Sequence, residues 1–275
     1  MSASPSYAPL TTQESICIVI GGTRIAVRTT NLEFVRMLAD RYIGFMASAE
    51  NSDADLDVDI FDNSVSADPD EDLQVLRDGQ EWVMRRGDFF ARWNPATCRG
   101  HVRQAANPYA IDSVLRIIHS LVLARRGGFL LHAASAIRNG RAFLFMGVSG
   151  AGKTTISRFA PADANLLTDE ISYVLAEQGS YLGCGTPFAG ELARVGENLS
   201  APMSTAFLLE KGPENRIEPI SKALAIRALM RNILFFAHDS ALVKRVFDSA
   251  CKFANEVPVR RLIFAPDQRV WNIIG

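Results

Sequence analysis

The stretch Gly147-Val148-Ser149-Gly150-Ala151-Gly152-Lys153-Thr154-Thr155 fits the pattern G-x-x-x-x-G-K-[ST] at each fixed position. The chemistry it suits is the grip of a phosphate chain. Glycines let backbone N–H groups turn inward where a Cβ would block the ligand. Lys153 brings a compact positive charge to β- and γ-phosphates, and Thr154 places a hydroxyl on Mg²⁺. Gly147, Ser149, Gly150, Ala151, Gly152, Lys153, Thr154 and Thr155 are therefore the expected nucleotide-binding residues, with ATP and Mg²⁺ as the implied cofactors.

Two adjacent carboxylates, Asp169 and Glu170, follow the apolar run that begins at Ala164. Side chains alternate faces along a strand, so the pair has separate tasks unless the strand breaks there. One would face the nucleophile and γ-phosphate, the other would act through Mg²⁺ or water; two solvated turn acids are the plain alternative. Gly183-Cys184-Gly185-Thr186-Pro187-Phe188-Ala189-Gly190-Glu191 is a loop able to approach a ligand closely. Glu191 reads as a second metal ligand or as an acid opening a helix. His132 alternates with Ala134 and Ala136, as a buried strand histidine would. His119 lies among apolar helical neighbours and reads as packed. Arg227, Arg231, Lys244 and Arg245 face an acidic substrate, the phosphates or solvent, and Arg260 and Arg261 sit on opposite faces of a closing strand, where either could reach phosphate. Asp68, Asp70, Glu71 and Asp72 lie in an acidic loop for which a metal site is the less ordinary reading.

Several elements must position these groups. Arg141 to Met146 is strand-like before the loop, and Thr154 to Ala160 is helical after it, stopped by Pro161. A strand, a glycine loop and a helix N-terminus form the setting the motif requires. Phe129 to Ile137 precedes Asn139-Gly140, a strong two-residue turn signal. The strand entering the loop thus has a close antiparallel neighbour, unlike the parallel βαβ approach of doubly wound folds. Ala110 to Ala124 is the clearest helix, with Ile111, Val114, Leu115, Ile118, Leu121 and Val122 on one stripe and Gly127-Gly128 as its stop. Upstream, residues 15–20 and 24–28 form a hairpin, and Asn31 caps a helix carrying Phe34, Val35, Leu38, Tyr42, Phe45 and Met46. Strands follow at residues 56–61, 81–84 and 89–93. Downstream, a short apolar strand from Ala164 carries Asp169 and Glu170 at its end, residues 204–210 form another strand, Ser221 to Phe236 a helix, Asp239 caps one reaching Asn255, and Val257 to Phe264 closes the chain as a strand.

The chain has 275 residues, 48% of them hydrophobic, and a net charge of −1. That supports a substantial core and gives no general affinity for nucleic acid or anionic membrane. Cys17, Cys98, Cys184 and Cys251 lack metal-ligand spacing, which suits a reduced, cytoplasmic setting. Residues 1–13 read as a disordered tail without signal-peptide character, 14–105 as a small α+β accessory domain, and 106–275 as the nucleotide-binding domain.

The order His132, then Gly147 to Thr154, then Thr168-Asp169-Glu170, then Thr186 to Glu191 resembles the catalytic domain of HPr kinase/phosphorylase and its kinase-like relatives, over about residues 110–270. The resemblance implies an α/β fold with α+β character: a phosphoenolpyruvate-carboxykinase-like P-loop core of mixed sheet with flanking helices, beside the small N-terminal domain. It implies phosphate transfer to a serine hydroxyl of a protein or peptide. Asp169 matches the general base, His132 the histidine that supports it, and Glu170 replaces the family's second Asp as a metal ligand beside Thr154 and Glu191. Thr154 stands where the family often has Ser. Thr186 to Glu191, with Arg194 beyond, replaces the family's arginine-bearing glycine-rich signature, so reverse phosphorolysis and HPr as substrate are not expected. Some relatives modify ribosomally made precursor peptides, which places such a peptide among the candidate partners; self-association stays open. Two other readings remain, a nucleotide-binding scaffold and a simple ATPase.

Overall fold

Glycine turns and alternating strands build the first sheet. The computed structural model describes residues 13–61, 72–192 and 195–275. Residues 1–12 of the expected tail, the acids Asp68, Asp70 and Glu71, and Arg194 lie outside the described residues. Gln13 is described, and its amide donates to Asp57 (3.2 Å).

Strands β1 (Glu14–Ile20) and β2 (Thr23–Thr29) are joined through Gly21 and Gly22, both at positive φ. Asn31 Oδ1 accepts from the Phe34 N–H (2.9 Å) and caps α1 (Leu32–Arg41). The helix is shorter than the apolar spacing predicts. Gly44, at φ 82°, turns the chain, so Phe45 packs into the core from outside the helix and Met46 opens β3 (Met46–Ala47). The sheet continues with β4 (Ala54–Phe61), β5 (Gln74–Asp78), β6 (Glu81–Arg86), β7 (Phe89–Asn94) and β8 (Arg99–Ala105), in the order β3-β1-β2-β4-β8-β7-β6-β5. Strands β5 and β8 were not expected; β5 carries a single buried residue, Val75, and β8 is mostly polar, so neither gives a periodic signal.

Helix α2 (Pro108–Arg126) begins at Asn107, whose Oδ1 accepts from the Tyr109 and Ala110 N–H groups. It ends at Gly127, left-handed at φ 79°. Of the predicted stripe, Ile111, Val114, Leu115, Ile118 and Leu121 are fully buried and Val122 packs partly buried against them, in a core continuous with side chains of the first sheet and with Ile171, Tyr173 and Phe188. The first hairpin also leans on this side: a Cβ on Gly21 would lie 2.3 Å from the Tyr173 ring.

The second sheet grows around β9 (Phe129–Arg138). Asn139 and Gly140, at φ 50° and 70°, turn it into β10 (Arg141–Met146). After the glycine loop come α3 (Lys153–Arg158), β11 (Ala164–Thr168), β12 (Ile171–Glu177), β13 (Ser180–Cys184), β14 (Ser200–Lys211) and β15 (Arg216–Pro219). The chain ends through α4 (Lys222–Asn232), β16 (Ile233–Leu234), α5 (Ser240–Glu256), β17 (Val259–Phe264) and a 3-10 turn, Gln268–Ile273. The strand order is β10-β9-β12-β13-β14-β17-β15, and β10 also pairs with β14 in parallel, which closes a ring of strands. The strand entering the glycine loop therefore has the expected antiparallel neighbour, β9, on one edge and a parallel one on the other. Both sheets are mixed and helices flank them: the fold is α/β.

The short strand expected from Ala164 is β11, which ends at Asp169-Glu170 as expected; β12 follows, and both lie along β9. The helix foreseen to Phe236 stops at Asn232, because Ile233 and Leu234 extend and pair with Leu131 and Leu130.

Candidate functional site

The glycine loop leaves β10 and turns on two left-handed residues, Gly150 (φ 75°) and Gly152 (φ 110°). A Cβ on Gly152 would lie 2.5 Å from the Phe264 ring, so β17 props the loop from below and forbids a larger residue. Ala151 packs its methyl towards that same core, and its N–H donates to the Val148 carbonyl (3.0 Å). Lys153 is buried, and its Nζ donates back to the Gly147 carbonyl (3.1 Å). Burial pushes the ammonium pKa down, while the nearby Glu170 and Glu191 carboxylates pull it up.

Ser149, Gly150, Gly152, Lys153, Thr154 and Thr155 line a cleft of about 600 Å³ together with His132, Glu170 and Glu191. Thr154 Oγ1 donates to Glu191 Oε2 (3.0 Å), and Glu191 lies in a turn rather than opening a helix. His132 Nδ1 stands 3.3 Å from Glu170 Oε1. Hydrogen bonding to His132 holds the Glu170 carboxyl below the usual range against the opposing effect of burial, with the charges of His132, Lys153 and Arg116 adding to the pull.

Asp169 is elsewhere. It is buried, and both its carboxylate oxygens accept backbone N–H groups: Oδ1 from Gly190 (3.0 Å) and Oδ2 from Leu192 (2.9 Å). The resemblance implied that His132 supports Asp169 and that Asp169 faces the acceptor; the structure gives His132 to Glu170 and turns Asp169 into the 185–192 loop. The physical reason is local. Thr168 Oγ1 accepts from the N–H groups of Glu170 and Ile171 (3.2 Å each), which breaks the strand and sends the two carboxylates different ways. Gly190 permits the close approach, since a Cβ there would lie 2.8 Å from the Glu170 side chain. Replacing Asp169 by Asn removes one of the two acceptors and sets an NH₂ against an N–H. The loop then loosens and Glu191 drifts from Thr154. The expected outcome is an increase of about tenfold in the Mg²⁺ concentration for half-maximal activity, read from metal titrations; an unchanged titration would remove Asp169 from this role.

Two cleft residues escaped the sequence reading, Arg116 and Lys211. Arg116 projects from α2, stands over the Phe188 ring (4.8 Å to the centroid), and lies 4.0 Å from Asp112. Burial pulls its pKa down and Asp112 opposes that. Its signal was present: Asp112 and Arg116, four residues apart, are ionic positions on an otherwise apolar helix, and burying them needs a reason. Thr186 and Phe188 serve this wall, Thr186 Oγ1 donating to the Ile171 carbonyl (2.7 Å) and Phe188 lying buried beneath the guanidinium. Lys211 ends a strand and carried no signal.

The remaining cations separate. Arg227 and Arg231 line a second cavity beside the loop, whereas Lys244 pairs with Asp248 (2.8 Å) and Arg261 with Glu210 (3.4 Å). Arg245 and Arg260 are exposed. His119 is packed as expected: fully buried, edge-on to Tyr173, and pushed down to about 3 by burial, so it is neutral. Among the described residues no three His, Cys, Asp or Glu side chains form a ready metal cage. That is compatible with Mg²⁺, which takes one or two carboxylates and completes its shell with water and phosphate oxygens.

No curated protein matches the chain. Among solved structures it is similar to the Hpr(Ser) kinase/phosphatase from Coxiella burnetii, at 12% identity over 52% of this chain and 90% of that one, with a TM-score of 0.28. A likeness that slight says nothing of activity. The family described as SynChlorMet cassette protein ScmC matches residues 104–275, more than half of the chain and each element from α2 onward, and the chain belongs to that family.

Proposed function

We propose that this protein is a Mg-ATP-dependent phosphotransferase acting on a serine hydroxyl of a protein or peptide. The observation that carries the reading is the convergence on one cleft of Lys153, Thr154, His132, Glu170 and Glu191. The cleft fits a polyphosphate. It offers a buried ammonium held at the loop's first carbonyl and glycines whose missing Cβ atoms leave room. It fits Mg²⁺ through hard oxygen donors, the Thr154 hydroxyl and the Glu191 carboxylate that it touches. Mg-ATP, when bound, supplies the γ-phosphoryl group and the divalent charge that neutralises it.

The chain's own residues then divide the work. Lys153 and the loop amides hold charge on the transferring end. Glu170 stands in the cleft with its carboxyl ionised at neutral pH, and it takes the proton of the acceptor hydroxyl. His132 fixes the orientation of that carboxylate, Thr154 and Glu191 seat the metal, and Arg116 adds positive charge to the cleft. Residues 106–275 carry the catalysis in this reading and 14–105 are accessory. The motif order shared with HPr kinase/phosphorylase-like proteins supports transfer to serine, with a ribosomally made precursor peptide among the partners. Among the described residues no helix is long and apolar enough to cross a membrane.

The test is incubation with γ-labelled ATP and a panel of serine-bearing peptides. Label on a peptide sustains the reading. Free phosphate alone makes the protein an ATPase, and tight nucleotide binding with neither makes it a scaffold.

A further inference from the structure

Two cavities meet at the loop. The donor cleft described above lies on one side; on the other, a cavity of about 340 Å³ opens between the loop and α4. His132 and Ser149 line both. The second cavity has an apolar floor, from Leu208, Leu224 and Ala228, and carries Arg227 and Arg231. These two arginines are four residues apart, hence neighbours on one helix face, where like charges repel. No acid lies on α4, and among the described residues neither arginine has an ion-pair partner. An unpaired pair of guanidiniums at the mouth of an apolar cavity complements an anion.

The loop fixes which end of a nucleotide faces this cavity. The motif lysine serves the β- and γ-phosphates. Lys153 Nζ is held at the Gly147 carbonyl, and Gly147 lines the arginine cavity. The terminal phosphoryl therefore lies beside the arginine cavity, with His132 between the two spaces.

We infer that the cavity between α4 and the phosphate loop is the acceptor site, and that it selects a peptide whose serine is flanked by Asp or Glu. Arg227 and Arg231 pair with those carboxylates, the apolar floor takes a neighbouring side chain, and the serine hydroxyl is delivered past His132 to the phosphoryl end. This rests on the phosphotransferase reading for its meaning, but binding tests it alone.

The experiment measures fluorescence anisotropy of short serine peptides that differ only in their flanking residues, Glu, Ala or Lys, with Mg-ADP saturating. The Glu peptide should bind about tenfold tighter than the Ala peptide and the Lys peptide weakest of all, as two exposed ion pairs allow. The R227E/R231E variant should reverse the order, favouring the Lys peptide; because it is a gain, misfolding does not mimic it. Equal affinity for all peptides, an order that the variant leaves unchanged, or loss of Glu-peptide binding when Mg-ADP is added would overturn the inference. If the Glu peptide binds with the expected preference yet never receives label from ATP, the acidic-peptide site stands and the phosphotransferase reading falls.

Discussion

Glu170→Gln will lower kcat for phosphoryl transfer by about a thousandfold, within the range of about 10²–10⁴ that a positioned general base contributes. Gln keeps the length and the reach to His132 but carries no charge and accepts no proton. Nucleotide KM stays nearly unchanged, because Lys153 and the loop amides hold the phosphates. The pH dependence separates this role from a merely structural one. His132 holds the Glu170 carboxyl below the usual range, so in the wild type the acid limb of the kcat/KM profile lies below the ordinary carboxylate value of about 4.3. A carboxylate with a depressed pKa loses its charge only as pH falls through that lowered value. His132→Ala removes the contact at 3.3 Å, and the limb should move upward. Steady-state kinetics on a labelled peptide checks both. Full transfer by the Gln variant sinks the assignment, and so does an acid limb that His132→Ala leaves in place.

That assignment shows where the sequence was legible and where it was not. The glycine loop could be read outright, because its pattern is dictated by phosphate geometry and by the strand and helix on either side. The Asn139-Gly140 turn and the α2 stripe were equally plain, each resting on a local rule with one dominant cause. The carboxylates were found as a pair, but their order of duty was not. It depends on a single hydroxyl, Thr168 Oγ1, accepting two backbone N–H groups and breaking the strand. No periodicity records that event. The end of α4 was missed for a related reason. Ile233 and Leu234 continue the helical apolar pattern, yet they gain more by pairing with the free edge of β9 than by another helical turn. The arginines on α4 were visible as charges, and only the fold separated Arg227 and Arg231 from cations already paired.

Asp112→Ala will destabilise the protein by about 3–5 kcal/mol, as loss of one partner from a buried ionic cluster does. Asp112 is buried on α2 and accepts from Arg41 Nε (3.2 Å), from Arg41 Nη2, and from the Tyr42 hydroxyl (2.5 Å). Tyr42 is itself fully buried, and burial together with the Asp112 charge pushes its phenol well above the ordinary value. Alanine at 112 would leave the buried Tyr42 hydroxyl without an acceptor and the partly exposed Arg41 guanidinium without its carboxylate. Tyr42→Phe removes only one donor and should cost about 1 kcal/mol. The double replacement Arg41→Met with Asp112→Leu should cost less than Asp112→Ala alone, because Arg41 is then not left without its carboxylate. Urea unfolding of the three variants measures this, and a loss under about 1 kcal/mol for Asp112→Ala would refute it. The cluster also bears on the cleft. Asp112 is the nearest carboxylate to Arg116, so the same residue ties α1 to α2 and steadies this cation of the cleft. A variant that retains its fold but loses Asp112 should therefore release Arg116 towards Glu170, weakening transfer through a residue that touches neither nucleotide nor acceptor.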